Sequence, residues 1–426
     1  MREMKNSGTE WLSDIPHDWT LSNIGSLYTM RNVKVSDRDY PPLSVTMKGV
    51  VPQLETAAKT DAHDDRKLVR KGDFAINSRS DRRGSCGIAD RDGSVSLINT
   101  ILAPRTKMNP DYYNWLFHST SFADEFYRWG HGIVDDLWTT RWQEMKKIDV
   151  PVPSYEEQAQ IASTLETECT KVDALIANQE AQIEKLKAYK QSLITEVVTK
   201  GLDPNVPMKD SGAEWIEKIP EGWNAVPLKT LFDFGKGLPI TKENLVEEGI
   251  PVISYGQIHA KWNSGVTIHE ELKRFVNKEY LETNPSCLVK KGDFIIADTS
   301  EDREGCGNAA YVDTDDTIFA GYHTVILISK KSNVDNKYLA YLFLTDAWRS
   351  QLRKRVSGIK VFSVSRKFLS ETSVLIPDNA SKMVELLDEK CSHIDKLISI
   401  KQQKIERLNQ YKKSIIYEYV TGKKEV

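Results

Sequence analysis

Two segments of the chain carry apolar residues at the spacing of a long helix that packs along one seam. Beginning at Leu165 and at Leu387, apolar positions recur in steps of three, four and seven residues, as in a coiled coil. Pro153 and Pro377 precede these segments and Gly201 follows the first, as is typical of helix ends. The seam positions are Leu165, Val172, Ile176, Ile183, Leu186 and Leu193 in the first segment, and Leu387, Ile394, Ile398, Ile405, Leu408 and Ile415 in the second. The pattern predicts two long helices.

Two positions of the seam are polar, and they are the same two in both segments. Gln179 and Lys190 of the first segment correspond to Lys401 and Lys412 of the second, at an offset of 222 residues. Two antiparallel helices that pack on each other explain such matched interruptions most simply. The helix over residues 165–197 would then span ~50 Å. The alternative is that each seam docks on its own globular domain.

Outside these segments, the apolar pattern is that of short strands between turns. Residues 72–76 and 292–296 both read Gly-Asp-Phe followed by two apolar residues, which is typical of a turn entering a buried strand. Further strand candidates are 250–254 and 324–328, and short helices fit 111–126 and 335–353. We therefore predict an α+β fold, with mixed α/β globular domains beside the long helices.

The chain also repeats itself. Residues 4–11 (MKNSGTEW) recur as 208–215 (MKDSGAEW), and residues 68–74 recur as 288–294. The offsets, 204 and 220 residues, are too long for a solenoid of 20–50-residue units. We therefore predict a duplicated domain plus helix, with an internal pseudo-twofold repeat. The predicted boundaries are 1–153 and 208–377 for two globular domains, 154–201 and 378–426 for the two long helices, and 202–207 for a linker.

The composition excludes several classes of protein. Of 426 residues, 40% are hydrophobic and 28% are charged, as in folded globular proteins. No segment approaches the ~18 uninterrupted apolar residues of a membrane span, and the first residues contain no apolar signal core. The five cysteines form no CxxC pair, which fits a reducing cytoplasm. The net charge of −3 does not indicate a nucleic-acid binder, so any such role depends on local patches.

The sequence contains no pattern of a catalytic or metal site. The eight histidines show no HxH or HExxH spacing, and a GxxxxGK[ST] phosphate loop is absent. Residues 109–112 (NPDY) resemble the tetrapeptide with which amino-methyltransferases hold a flipped base, but the second proline of that motif is missing. We interpret them as a turn before a helix, and Asp73 and Asp293 as turn aspartates. We therefore predict no catalytic residue, no metal and no cofactor for this chain.

Each copy has two polar segments that a folded core does not require. In the first copy, residues 77–84 (NSRSDRRG) place three arginines in a loop, and guanidinium groups bind phosphates or guanine edges. The equivalent loop, residues 298–305 (DTSEDREG), keeps only Ser300 and Arg303 at matching positions. The alternative interpretation is a solvated turn.

The second polar segment is strongly basic in the second copy. Residues 353–367 contain six basic residues and no acid, which produces a local positive field. Residues 129–141 of the first copy are less basic and more aromatic, and a solvated charged face is the alternative for both. The candidate DNA contacts are Asn77, Arg79, Arg82, Arg83, Trp138, Thr139, Thr140 and Arg141 in the first copy, and Thr299, Arg303, Arg355, Lys360, Ser363 and Arg366 in the second.

Two similar domains with dissimilar polar loops on one spacer can read two short sequences at a fixed separation. Double-stranded DNA fits as the target, because its half-sites recur on one face every ~34 Å. The order of the parts resembles that of type I restriction–modification specificity subunits over nearly the whole chain. The residues that carry the resemblance are Gly8, Glu10, Trp11, Ile15-Pro16 and Trp19 with their copies at 212–223, the two Lys-Gly-Asp-Phe strands, Pro153 with Glu156-Glu157-Gln158, and the helix ends 193–199 and 415–421. The second copy departs from the pattern at Asn379-Ala380-Ser381.

The resemblance implies a role in phage defence without catalysis by this chain. Each globular domain is then a target recognition domain for one half of a bipartite DNA site. The helices fix the half-site spacing and dock two adenine methyltransferase subunits, and restriction subunits join through these. S-adenosylmethionine, ATP and magnesium belong to those partners. The alternatives from other classes are a stand-alone DNA methyltransferase and a protein scaffold that does not bind DNA.

Overall fold

The computed structural model describes residues 2–54, 63–132, 138–330, 335–356, 358 and 361–426. They form two compact units: Met1–Ala181 with Lys401–Val426 (unit 1), and Gln182–Ile400 (unit 2). Each unit combines the globular part of one copy of the repeat with segments of both long helices. Lys360, one of the predicted DNA contacts, lies outside the described residues.

Unit 1 is built around an antiparallel sheet of four strands. In order across the sheet, they are Cys86–Ile88, Phe74–Asn77, Asn99–Pro104 and Tyr28–Met30. The strand that begins at Phe74 is apolar at successive positions because both of its faces are covered. Phe74 and Ile76 belong to one buried cluster, whereas Ala75 and Ile101 belong to another. The predicted buried strand after the Gly-Asp turn is therefore confirmed.

Asp73 closes the turn into this strand. Its carboxylate accepts hydrogen bonds from the backbone N–H of Arg70 (2.9 Å) and from Nε of Arg31 (2.6 Å). In unit 2, the Asp293 carboxylate accepts from the backbone N–H of Ser329 (2.8 Å), and burial raises its pKa. Both aspartates shape turns, as predicted.

Helices of unit 1 pack aromatic side chains against the central sheet. The ring centroid of Phe117 lies 4.4 Å from that of Phe74 and 4.7 Å from that of Phe122. The globular helices of unit 1 are Ile24–Leu27, Pro110–His118, Thr120–Arg128 and Trp142–Met145. Its remaining strands form a three-stranded sheet, Gly93–Ser96, Arg66–Val69 and Lys34–Val35, and the pairs Met4–Asn6 with Asp14–Pro16, Leu43–Thr46 with Gly49–Pro52, and Thr20–Asn23 with Asp149–Val152.

Unit 2 repeats this plan. Its central sheet has the strands Ala309–Tyr311, Phe294–Ala297, Thr324–Ser329 and Phe232–Lys236, in that order. The order and the antiparallel pairing match those of unit 1. The ring of Phe294, like that of Phe74, packs against a helix, with its centroid 5.0 Å from that of Phe343. The predicted duplication and the α+β fold are therefore confirmed.

Unit 2 differs from unit 1 in its second sheet, which has five strands. These are Leu245–Val246, Arg274–Val276, Ile250–Ile253, Ile318–Ala320 and Leu288–Val289. The two-stranded pairs are Met208–Ala213 with Ile216–Pro220, Asn224–Pro227 with Ser373–Ile376, and Thr299–Ser300 with Phe362–Ser363. The globular helices of unit 2 are Tyr255–Ile258, Tyr280–Thr283, Asn336–Phe343, Asp346–Arg353 and Arg366–Glu371.

We predicted one short helix over residues 111–126 and one over 335–353. The helical structure is confirmed, but the prediction that each helix is continuous was wrong. Each segment forms two helices, because a hydroxyl residue caps a new helix in the middle. The hydroxyl of Ser119 accepts a hydrogen bond from the N–H of Phe122 (3.2 Å), and that of Thr345 accepts from Trp348 (3.3 Å). The caps turn the chain so that both helices of a pair contribute to the same apolar core.

The two long helices predicted from the heptad spacing are Tyr155–Lys200 (the first long helix) and Ala380–Val420 (the second long helix). In unit 1, Nζ of Lys412 lies 2.7 Å from both carboxylate oxygens of Asp173. Further along, Nζ of Lys401 lies 3.5 Å from Oε1 of Gln179. Residue numbers therefore rise along one helix as they fall along the other. The predicted antiparallel packing of the two helices is confirmed.

All of the predicted seam residues are buried or half-buried. The alternative, docking on the helix's own globular domain, also holds where each helix begins, because Leu165 shares an apolar core with Trp19 and Leu387 shares one with Trp223. It does not hold for Ile415, which lies in the core of the other copy, with Trp19. The buried seam residues are Leu165, Val172, Ile183, Leu387, Ile394 and Ile415, and the half-buried ones are Ile176, Leu186, Leu193, Ile398, Ile405 and Leu408.

Two of the lysines that interrupt the seam, Lys190 and Lys412, reach carboxylates on the opposite helix. In unit 2, Nζ of Lys190 lies 2.6 Å from Asp395, which is the equivalent of the Lys412–Asp173 pair at an offset of 222 residues. Ion pairs of this exposure contribute only about 0–1 kcal/mol to stability. Their larger effect is on register, because a slipped pairing leaves a half-buried lysine without its carboxylate.

Charge reversal tests this pairing. We expect Asp173→Lys and Lys412→Asp, made singly, each to lower the free energy of unfolding by about 0.5–1 kcal/mol, because each places like charges together. The double variant should recover most of that loss, as measured by urea unfolding. Lys404→Asp, at an exposed position of the second long helix, is the matched control. A double variant as unstable as the sum of the single variants would contradict the pairing.

Candidate nucleic-acid interface

In unit 1, the two polar segments predicted separately lie side by side. Arg79 and Thr139 form an antiparallel backbone bridge. The N–H of Ser80 donates to the carbonyl of Trp138 (2.9 Å). The N–H of Thr140 donates to the carbonyl of Ser78 (3.0 Å). The loop after the strand Phe74–Asn77 and the segment before the first long helix therefore form one continuous surface.

The loop of residues 77–83 is held in shape by its own polar groups. Oδ1 of Asn77 accepts a hydrogen bond from the N–H of Arg79 (3.1 Å), and Ser80–Arg82 form a single 3₁₀ turn. Gly84 follows at φ +75, a left-handed conformation that favours glycine. The side chain of Asn77 thus positions the loop.

The three arginines of this loop are held to different degrees. The carboxylate of Asp81 lies 3.7 Å from Nε of Arg79 and 3.7 Å from Nε of Arg82. Arg83 pairs with Asp124. The side chain of Arg82 is 68% exposed, more than either of the other two. Arg82 is therefore the best placed of the three to reach a nucleic acid.

Trp138 and Arg141 are exposed beside this loop, whereas Thr140 is not. Thr140 is fully buried, and its Oγ1 donates a hydrogen bond to the carbonyl of Phe126 (2.8 Å). The prediction of Thr140 as a DNA contact is therefore wrong, because its side chain cannot reach a base. The indole of Trp138 lies against Gly130, where an added Cβ would stand 2.2 Å from the ring. Glycine at this position makes room for the indole.

Unit 2 has the same arrangement with different residues. Thr299–Ser300 pairs antiparallel with Phe362–Ser363, and the N–H of Val364 donates to the carbonyl of Asp298 (2.7 Å). The predicted contacts Thr299 and Ser363 are direct partners in this pairing. The loop after the central strand and the segment before the second long helix again form one surface.

The arginines of unit 2 are also held to different degrees. The guanidinium carbon of Arg303 lies 5.7 Å from the ring centroid of Phe362, within the range of a cation–π contact. Nη1 of Arg355 donates to Glu371 (2.9 Å). Arg366 is exposed at the first position of its helix. Arg366 is therefore, like Arg82, an exposed arginine among the predicted contacts.

Acids from elsewhere in the fold neutralise part of the basic run of the second copy. Arg353 pairs with Asp346 (2.8 Å), and Lys354 pairs with Glu214 (3.3 Å). The sequence has no acid within the run, but it does not reveal these partners. Part of the positive charge of the run is therefore neutralised within unit 2.

Several residues at this surface were missed by sequence reasoning. Nε2 of His259 lies 2.8 Å from the carbonyl oxygen of Thr299, and its Nδ1 lies 3.0 Å from Nδ2 of Asn308. Because an amide nitrogen donates, Nδ1 accepts and Nε2 carries the proton that bonds Thr299. His259 therefore positions the strand, although no local pattern in the sequence signals it. Other missed side chains near this strand are Tyr255, Tyr322 and His323.

Asn109 caps a helix in the described structure. Oδ1 of Asn109 accepts hydrogen bonds from the N–H groups of Asp111 (3.0 Å) and Tyr112 (3.1 Å) and caps a helix, as its interpretation as a turn predicts. Within the described ranges, no three His, Cys, Asp or Glu side chains are grouped as metal ligands. No described helix is both long and apolar enough for a membrane span.

Comparison with known proteins identifies relatives of the chain. Residues 220–410 match the family model of the type I restriction modification DNA specificity domain. The chain is 25% identical to the type I restriction enzyme MjaVIII specificity subunit of Methanocaldococcus jannaschii, over 96% of this chain and 93% of the relative. It is 26% identical to the putative MjaX specificity subunit of the same organism, over 66% of this chain and 60% of that one.

Solved structures share the fold at low sequence identity. The HsdS subunit from Thermoanaerobacter tengcongensis is 16% identical, with a TM-score of 0.52 over 96% of this chain and 98% of that one. A chain from a study of complex assembly and conformational transition of the type I R-M system is 14% identical, with a TM-score of 0.71 over 96% of this chain and 99% of that one. The chain is therefore similar in sequence to type I restriction enzyme specificity subunits, and it shares its fold with the solved HsdS structure.

Proposed function

We propose that this chain reads a bipartite DNA site, one half with each unit, for a type I complex whose chemistry its partners perform. The observation that carries the proposal is the same backbone pairing in both units, Arg79 with Thr139 and Thr299 with Ser363, built from different side chains. Two units with the same backbone and different polar surfaces can bind two different DNA sequences. The target recognition domains are residues 1–153 and 208–377, with the spacer helices at 154–201 and 378–426.

The exposed side chains of the two surfaces are the contacts that we propose. Arg82, Trp138 and Arg141 in unit 1, and Arg303 and Arg366 in unit 2, carry groups that bind base edges or phosphates. Asn77, Arg79, Arg83, Thr139, Thr299, Arg355 and Ser363 act beside them, several already bonded within the protein. The role of Lys360 stays a prediction from the sequence.

The two long helices set the number of base pairs between the half-sites and dock two methyltransferase subunits, through which restriction subunits join. Two antiparallel helices hold their length better than a flexible linker does. S-adenosylmethionine, ATP and magnesium belong to the partners. The five described cysteines are buried free thiols, which fits assembly in the reducing cytoplasm.

Mapping of methylated adenines tests the function directly. In cells with this chain and its methyltransferase partners, we expect methylation in a motif with two specified parts separated by a fixed number of unspecified base pairs. Cells that lack this chain are the control and should lose the motif. One contiguous motif, or a motif that survives without the chain, would contradict the proposal.

Substitution of one exposed arginine in each unit tests which unit reads which half-site. We expect Arg82→Ala to change base preference in one half-site and Arg366→Ala to change it in the other, each with a loss of about 1–3 kcal/mol in binding if a base edge is contacted. Binding of the assembled complex is measured on duplexes with every single-base substitution. Arg91→Ala, at an exposed turn of unit 1, is the matched control.

Two other outcomes of this experiment are informative. A uniform loss over all duplexes, with a reduced dependence on salt, would assign the arginine to a phosphate. A change in both half-sites from one substitution would contradict the division of labour between the units.

Shortening of the helices tests the spacer. Deletion of residues 179–185 together with 401–407 removes one heptad from each helix at equivalent positions and keeps the seam in phase. We expect the gap in the methylated motif to shrink by about three base pairs, because seven residues span ~10 Å and DNA rises ~3.4 Å per base pair. Glu184→Ala with Lys185→Ala, at the same length, is the control. An unchanged gap in the shortened protein would contradict the spacer role.

A further inference from the structure

Three side chains of unit 2 form an aromatic and imidazole cluster beside the candidate interface. The ring centroid of Tyr255 lies 5.5 Å from that of Tyr322 and 5.4 Å from that of His323, and the latter two are 6.0 Å apart. All three pairs are close to edge-to-face, with interplanar angles between 68° and 80°, the arrangement that aromatic rings favour. The side chain of His323 is 58% exposed. The tyrosines thus support an imidazole at the surface.

The backbone fixes this cluster next to the strand Thr299–Ser300. The carbonyl of His323 accepts a hydrogen bond from the N–H of Asp298 (3.1 Å). Nδ1 of His323 lies 3.5 Å from Oδ1 of Asp298, and that oxygen is buried without a hydrogen-bond partner among the described residues. The Nδ1 side of the imidazole therefore faces the carboxylate, and Nε2 is left for another partner.

The turn that carries His323 is held in an unfavourable conformation. His323 has φ +53, in the left-handed region that residues other than glycine rarely adopt. Such conformations persist where the surroundings enforce them, often at binding sites. Here Oγ1 of Thr324 donates to the carbonyl of Gly321 (2.7 Å), and Gly321 lies against Ser254 with no room for a Cβ. The imidazole is therefore presented in a set position.

The equivalent turn of unit 1 carries different chemistry. In both units, this turn leads into the strand that pairs with the Gly-Asp-Phe strand, Asn99–Pro104 in unit 1 and Thr324–Ser329 in unit 2. By that register, residues 97–98 (Leu-Ile) occupy the positions of residues 322–323 (Tyr-His). The strands are shared and the turn differs, as expected of residues that are free to specify a base.

The charge around the cluster favours a base edge over a phosphate. The adjoining loop carries Asp298, Glu301, Asp302 and Glu304 against the single cation Arg303. Carboxylates repel phosphates, but they accept hydrogen bonds from base amino groups, and imidazoles also bond base edges. The cluster is therefore better suited to contact base edges in a DNA groove than to contact the phosphate backbone.

We propose that His323, supported by Tyr255 and Tyr322 and oriented by Asp298, contacts a base edge in the half-site read by unit 2 through Nε2. The inference rests on the proposed function and adds a specificity-determining residue that the arginine-rich segments do not contain. Tyr255 and Tyr322 act as positioning residues, because their rings hold the imidazole in place.

The test uses the complete complex of this chain with its methyltransferase partners and the wild-type motif found by methylation mapping. His323→Gly removes the imidazole and tolerates the left-handed backbone, and His323→Asn is a second variant that also tolerates it. We expect both to weaken binding of the wild-type duplex about tenfold or more. Discrimination should fall at one or two adjacent positions of one half-site, with the other half-site unchanged. Thermal melting confirms that the variants fold.

His269→Ala, at an exposed histidine of unit 2 outside the cluster, is the matched control and should bind like the wild type. An unchanged base profile in folded variants overturns the inference, and so does an equal loss on all duplexes, which would indicate a phosphate contact. These failures are distinct from a failure of the proposed function. In that case, the wild-type complex itself would show no bipartite motif.

Discussion

Each unit depends on one contact, in which a buried tyrosine of the globular part bonds the end of a long helix that begins elsewhere in the chain. The hydroxyl of Tyr112 donates to the carbonyl of Val420 (2.9 Å) in unit 1, and that of Tyr338 donates to the carbonyl of Val198 (2.8 Å) in unit 2. The last carbonyls of a helix have no partner within the helix and cannot be buried without one. The tyrosines supply that partner, so the helix ends can enter the apolar cores. Neither core is complete without a segment from the other copy of the repeat.

This constraint explains which parts of the two copies stayed alike. The strands of the central sheet and the helix ends determine whether a core closes, and they match between the units. Most of the residues that differ at the candidate interface are exposed, whereas Phe362 and Val364 pack on the core of unit 2. Unit 1 places arginines and an indole there, whereas unit 2 places acids, a phenyl ring and imidazoles on the same backbone pairing. Divergence at the exposed positions therefore leaves the stability of either unit nearly unaffected.

The sequence was sufficient for features that repeat locally and insufficient for those that depend on distant partners. The heptad steps predicted both helices, because the periodicity of a helix shows in residues that are close in sequence. The matched polar positions of the two seams predicted that the helices pack on each other. The carboxylate partner of Lys190, which is Asp395, was not predictable, since it lies on another element. The burial of Thr140 and the pairing of Arg355 with Glu371 were not predictable for the same reason, because both depend on residues of other elements. His323 was missed because a left-handed histidine in a turn has no signature in composition or period.

The distribution of charge argues that neither unit holds DNA through phosphates alone. In unit 1, Asp81 lies within 3.7 Å of two of the loop arginines, so a phosphate must replace an internal carboxylate before it gains an ion pair. In unit 2, the acids of the equivalent loop outnumber its single arginine. Both effects subtract from the sequence-independent part of the affinity, which comes from neutralising phosphates. They reduce the contribution of base contacts less, because carboxylates themselves accept hydrogen bonds from base amino groups. Under the proposed function, such a surface gains discrimination between sequences at the expense of binding strength.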